Sequence, residues 1–153
     1  MIERQHVSST RSRNMSAIRG KDTKPEVQVR RFLHSCGFRF RLQSSRLPGK
    51  PDLVLKKYRL AIFVHGCFWH RHADCFYTST PVTRADFWNQ KFSQNIERDR
   101  KVKEQLLAEG WRVLVIWECG MKCLHHEMHE LSSLINGNEL SMEWPALPPR
   151  QRS

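Results

Sequence analysis

The sequence predicts an α/β fold, a mixed β-sheet flanked by helices, on three observations. Trp111-Arg112-Val113-Leu114-Val115-Ile116-Trp117 is nearly continuous apolar sequence, the pattern of a central strand buried on both faces. Two further apolar runs, Asp52 to Leu55 and Arg59 to His65, are joined by the short basic turn Lys56-Lys57-Tyr58, which pairs them antiparallel. Helical start and stop signals bracket the segments around these runs. The resulting order is helix, strand, strand, strand, helix, strand, helix.

Residues 1–22 are polar and basic, with Arg4, Arg11, Arg13, Arg19 and Lys21 among serines. They read as a solvated arm, although Met15 and Ile18 stand three apart, the spacing of one helical face that could lie along a nucleic-acid groove. Thr23-Lys24-Pro25-Glu26 is a capping box with proline in the first turn. The helix it opens has Val27, Val29, Phe32 and Leu33 on its apolar side and Arg30 and Arg31 facing away, with Gly37 as its stop. Cys36 reads as a small buried side chain. Capping explains Glu26 without any further role.

Phe38 to Leu42 alternates apolar and basic residues, as a strand with one wet face does. Ser44 to Pro51 is a loop, and Pro51 suits a strand's first position while pinning the backbone that carries Asp52. Thr83-Arg84-Ala85-Asp86 resembles a second capping box, opening a helix that stops at Gly110 with Phe87, Phe92, Ile96, Val102 and Leu106 as its stripe. Trp88, Lys91 and Asn95 share a neighbouring face of that helix. A last amphipathic helix spans Cys123 to Ile135, and the Pro-containing sequence beyond it reads as a loose tail.

At 153 residues the chain makes one domain with a real core. Lys and Arg outnumber Asp and Glu by 26 to 15, and the formal charge of +11 calls for a polyanionic partner. No apolar run approaches the roughly 20 residues of a bilayer helix, and the first ten residues lack the apolar core of a signal peptide. Five cysteines interspersed with histidines point to reduced thiols on a metal in the cytoplasm, not to a disulfide framework.

The densest chemistry lies in Phe63-Val-His-Gly-Cys-Phe-Trp-His-Arg-His-Ala-Asp-Cys75. Cys67, His72 and Cys75 are a nitrogen/sulfur set suited to Zn²⁺ from a single loop, with a fourth ligand to come from elsewhere. Phe68 and Trp69, set between ligands, are held out on a metal-stiffened loop. Asp52 begins one strand and His65 ends the next, so an antiparallel pairing brings them to one corner within reach of His70. A carboxylate suits Mg²⁺, and a histidine can take a proton from an attacking water, which together make a minimal phosphodiester hydrolase.

Pro51-Asp52 at a strand start, after a helix with an acidic first turn, resembles the PD-(D/E)xK nucleases. The acid-x-Lys half of that motif is absent, because Phe63-Val64-His65 occupies its strand. Thr10 to Ile18, Asp22-Thr23 through Glu26, Leu47 to Asp52, Phe63 to His70, Asn95 to Asp99 and Trp117-Glu118-Cys119 resemble, in that order, the bacterial very short patch repair endonucleases. The resemblance implies a restriction-endonuclease-like fold with a structural zinc site. Its implied activity is a Mg²⁺-dependent nick in one strand, 5′ of the thymine of T:G mismatches left by 5-methylcytosine deamination.

Carried onto this chain, the resemblance gives Asp52 and the Val64 backbone carbonyl to Mg²⁺; the family often has threonine where Val64 stands. His65 and His70 would act on water and phosphate, with Asp99 orienting His70 and Glu26 positioning a water at the ion. Cys67, His72, Cys75 and Cys119 would hold zinc, with Cys123 and Asp74 as competitors for the fourth place. Phe68, Trp69 and Trp88 would wedge between base pairs, Met15 and Ile18 would enter from the other groove, and Lys91 and Asn95 would touch the mismatch. The arm (1–22), an endonuclease domain (23–136) and a loose tail (137–153) complete the expectation. The partners expected are mismatched duplex DNA and mismatch-repair proteins. The protein would act as a monomer, at the nucleoid of a bacterial cytoplasm. A non-catalytic zinc-stabilised DNA-binding module and a restriction-type nuclease are the rival readings.

Overall fold

Helix α1 (Lys24–Ser35) starts where the sequence places it. Thr23 is its N-cap, the Thr23 Oγ1 accepts from the Glu26 amide at 3.5 Å, and the Glu26 carboxylate accepts in return from the Asp22 amide at 3.2 Å. The computed structural model describes residues 22–42 and 45–149, so Met15, Ile18 and all of the arm before Asp22 lie outside the described residues. Val29 and Leu33 are fully buried, and Glu26 is buried with them. Arg30, expected to face away, instead reaches Glu26 at 3.2 Å and Asp22 at 2.6 Å, because a carboxylate removed from water needs a cation beside it. Cys36, expected inside, is exposed at the helix end.

Five strands follow, β1 (Arg41–Leu42), β2 (Leu53–Leu55), β3 (Leu60–His65), β4 (Arg112–Trp117) and β5 (Ser141–Trp144), lying side by side in that order. β1, β2 and β3 are antiparallel neighbours, whereas β3–β4 and β4–β5 are parallel, so the sheet is mixed as expected. β1 is shorter than the alternation from Phe38 suggests, since Phe38 turns inward to meet Tyr58 edge-on at 5.6 Å. The tail is not loose throughout. Residues 141–144 add a fifth strand to the sheet, with Met142 and Trp144 buried on one face while Ser141 and Glu143 point to solvent.

Leu60 and Ile62 of β3, with Leu114 and Ile116 of β4, face a core closed by Val29 and Leu33 of α1, Leu131, Ile135, Met142 and Trp144. Ala61 and Val113 face the other side against Leu106. The central strands are therefore buried on both faces.

Four more α-helices lie among the described residues, α2 (Cys67–His70), α3 (Ala85–Ala108), α4 (Glu118–Cys123) and α5 (Glu130–Asn136). The box expected at Thr83 does not form. Arg84 is the N-cap, in the left-handed region at φ 57°, with no side-chain cap. Of the α3 stripe only Phe92 and Leu106 are buried, while Phe87 and Ile96 stay about half exposed. The single helix expected over Cys123–Ile135 is instead α4, a 3₁₀ turn at His125–Glu127 and α5. No helix among the described residues is long and apolar enough to cross a membrane.

Gly120 of α4 lies against the indole that anchors β5. A Cβ there would stand 2.5 Å from Trp144 Cζ3 and 2.8 Å from Pro145 Cδ. Gly120→Ala is expected to destabilise the fold by about 1–3 kcal/mol through overpacking, read from the midpoint of chemical denaturation.

Candidate active site and metal centre

The β2–β3 ladder ends at the Leu53–Ile62 pair, and Asp52 continues it with its side chain, Oδ2 accepting from the Val64 amide at 2.7 Å. A strand residue's N–H and C=O leave by the same edge, so the Val64 carbonyl faces the Asp52 side as well. Burial pushes the Asp52 carboxyl up to about 6; the Glu26 charge adds to this, while the Val64 hydrogen bond, His70 and Arg30 oppose it. Two acidic groups close enough to feel each other's charge in one desolvated corner suit a hard divalent cation such as Mg²⁺.

β3 delivers His65 to the same corner, buried, and its ring stacks on that of His70 with centroids 3.7 Å apart and planes 6° apart. Burial first, and His70 second, hold His65 well below the usual histidine range, so it is neutral at pH 7. His70 Nδ1 bonds Asp99 Oδ2 of α3 at 2.6 Å, which leaves Nε2 as the free ring nitrogen. His65, His70 and Asp99 lie close enough together to suggest a metal cluster. Within that trio Asp99 already takes His70 Nδ1. A histidine held by a carboxylate on one ring nitrogen is an arrangement that can also pass a proton through the other.

The second cluster is of another kind. Cys67, His72, Cys75 and Cys119 are all buried, with their ligand atoms within 4.8 Å of one another. His72 Nδ1 lies 3.7 Å from Cys67 Sγ and 3.5 Å from Cys119 Sγ. A tetrahedral zinc with bonds of about 2.3 Å to sulfur and 2.0–2.1 Å to nitrogen has S···N edges of about 3.6 Å, so the donor set fits Zn²⁺. A hydrogen bond from Cys119 holds the Cys67 thiol down to about 4, and the same bond pushes Cys119 up. Neither competitor joins the cluster, since Cys123 Sγ contacts the Tyr77 hydroxyl at 3.4 Å and Asp74 is exposed.

Between the centres, α2 and α3 gather an aromatic group. Phe68 meets Trp69, Trp88 and Phe92 edge-on at 5.2, 5.7 and 5.2 Å, and Trp69 lies 5.7 Å from Trp88. All three expected wedge residues are half-buried, neither core nor fully displayed. Lys91 is half-buried on the same helix, while Asn95 donates to the Trp69 carbonyl at 3.1 Å and so orients α2. Arg71, which no sequence pattern marks, holds the loop by donating to the Phe68 and Ser79 carbonyls and lies over the Phe92 ring at 4.0 Å. Glu118, read in the sequence only as part of the Trp117-Glu118-Cys119 segment and given no role, accepts through Oε1 from the Cys67 amide at 3.3 Å.

The family model described as DNA mismatch endonuclease Vsr matches residues 4–77, a span that takes in Glu26, Asp52, His65, His70 and three of the four cysteine-centre ligands. DNA mismatch endonuclease Vsr of Escherichia coli (strain K12) is 46% identical over 117 residues, 76% of this chain and 74% of its own length. The type II nicking enzyme V.XorIIP of Xanthomonas oryzae is 48% identical over 110 residues, 72% of this chain and 80% of its own. V.NmeAIP of Neisseria meningitidis, also a type II nicking enzyme, is 47% identical over 115 residues, 75% and 81% of the two chains. With likeness of this extent running through the corner that holds Asp52, the chain belongs to the Vsr family of DNA mismatch endonucleases.

Proposed function

We propose that the protein is a Mg²⁺-dependent endonuclease that nicks one strand of duplex DNA 5′ of the thymine in T:G mismatches. The observation that carries this reading is the meeting of Asp52, Glu26, His65 and the Asp99-bound His70 at one corner, beside a half-exposed aromatic group on a strongly basic protein. Asp52 and the Val64 carbonyl would hold Mg²⁺, which supplies positive charge against the phosphate when bound. The residues themselves divide the proton work. His65, kept neutral, is the base for the attacking water, and His70, oriented through Nδ1, turns Nε2 to the phosphate. Glu26, fixed by Arg30 and the Asp22 amide, orients that water.

Phe68, Trp69 and Trp88 form the wedge. Opening a base step costs a few kcal/mol, less at a mismatch, and stacking returns about 1–3 kcal/mol per base. Zinc on Cys67, His72, Cys75 and Cys119 stiffens the loop carrying two of those rings. Met15 and Ile18 of the arm enter the opposite groove, and Lys91 reaches the mismatch alongside Asn95. Binding to phosphate falls steeply with salt and is blind to sequence.

Incubating the protein and Mg²⁺ with end-labelled T:G and T:A duplexes of one sequence tests the proposal. A single nick confined to the thymine strand of the T:G duplex is expected. Equal cutting of both duplexes marks a restriction-type enzyme, and binding without cutting marks a DNA-binding module. Trp69→Ala is expected to lower the T:G over T:A preference by about 10-fold while changing T:A affinity less than about 2-fold, in titrations at fixed salt. An unchanged preference removes Trp69 from the wedge.

A further inference from the structure

One indole connects the cysteine centre to the reaction corner. Trp117 ends β4 and pairs in register with His65, the last residue of β3. Its ring lies flat on the ring of His72, centroids 4.1 Å apart and planes 5° apart, while it meets His65 at 5.3 Å and 73°. Nε1 donates to Glu143 Oε1 of β5 at 3.0 Å, which fixes the rotation of the indole in its plane. His65 is thus bounded by His70 stacked on it, by Phe63 at 5.9 Å and by Trp117. Cys67, Cys75 and Cys119 pack with Trp117 in one small buried cluster, separate from the main core.

Nothing in the proposed chemistry needs an indole at this position, and an ordinary strand end would be served by any large apolar residue. A flat face set on a metal-ligand candidate and an edge set on the candidate base are more particular. We infer that Trp117 is a positioning residue for the nicking reaction, an indole spacer seated on His72 and tethered by Glu143 that holds the His65 ring parallel to His70. The inference rests on the proposed role of His65, and it adds that the zinc-binding loop and strand β5 set the alignment of that ring.

The full-length zinc-loaded protein provides the test. Trp117→Leu removes the ring, Glu143→Leu removes the tether from an exposed position, and Glu143→Gln keeps an acceptor for the indole N–H. Trp117→Leu is expected to keep one zinc and bind the T:G duplex within about 2-fold, yet to nick about 10-fold more slowly in single turnover. Glu143→Leu is expected to slow nicking about 3-fold, and Glu143→Gln to restore it. In long-range ¹H–¹⁵N spectra the His65 ring signals should move in both leucine variants and return in Glu143→Gln. Trp117→Leu nicking at the normal rate overturns the inference. Should that variant not fold, Glu143→Leu matching the wild type in rate and in His65 signals overturns it equally. If the wild type does not nick T:G duplexes at all, the proposed function fails, and the His65 signals still decide the role of Trp117.

Discussion

Asp52→Asn is expected to lower nicking by on the order of 10³-fold while mismatched duplex still binds within a few-fold, because it removes the charge that holds the cation and leaves the wedge intact. The same substitution should make the metal-free protein more stable. Burial raises the Asp52 carboxyl from 3.8 to about 6, so keeping it ionised in the folded protein at pH 7 costs roughly 3 kcal/mol. The sign follows from proton linkage. Between pH 4 and 6 the folded state binds the extra proton, so the penalty is full above pH 6, shrinks as pH falls and is gone below about pH 4. Asparagine can still accept from the Val64 amide, so the variant should unfold at higher denaturant than the wild type at pH 7 and at the same denaturant near pH 4. Nicking by the wild type should need more Mg²⁺ as pH drops through 6, where proton and cation compete. Full activity in Asp52→Asn would remove the carboxylate from the mechanism.

Cys119→Ser is expected to lose the bound zinc equivalent and, with it, the folded state. Cys67 and Cys75 flank α2 and its loop, and Cys119 lies in the first turn of α4, so one ion would tie the aromatic loop to the end of the central strand. Structural zinc contributes about 10–16 kcal/mol in small zinc domains, as much as the entire stability of a typical domain, about 5–15 kcal/mol. Metal analysis and far-UV circular dichroism read both losses. Cys123→Ser and Asp74→Asn should retain zinc and fold, since the first residue contacts Tyr77 and the second is exposed. Zinc retained by Cys119→Ser would reassign the fourth ligand.

Where sequence pattern and physical cause coincide, the fold was legible. The Thr23 box, the continuous apolar run before Cys119 and the tight basic turn each impose one local answer, and α1, β4 and the β2–β3 pair are where they place them. The α3 start was misread because Arg84 adopts a left-handed turn that no capping pattern announces. The α3 stripe was misread because its N-terminal half meets the α2 rings rather than the sheet, so Phe87 and Ile96 have little to cover them. β5 was hidden by the prolines after it, although Met142 and Trp144 alternate with Ser141 and Glu143 as a strand should. At the site, ligand types and spacing exposed Cys67, His72 and Cys75. The histidine stacking, the Asp52–Val64 bond and the placement of Trp117 depend on strand register, which residue types alone do not carry.

In the proposed enzyme a hard cation gathers at Asp52 while zinc sits apart in the cysteine centre. Anomalous diffraction at the manganese and zinc edges, from crystals grown with a T:G duplex and Mn²⁺ in place of Mg²⁺, tests it most directly. Manganese is expected against Asp52 and the Val64 carbonyl, and zinc enclosed by Cys67, His72, Cys75 and Cys119. Manganese seated among His65, His70 and Asp99, with none at Asp52, would contradict it.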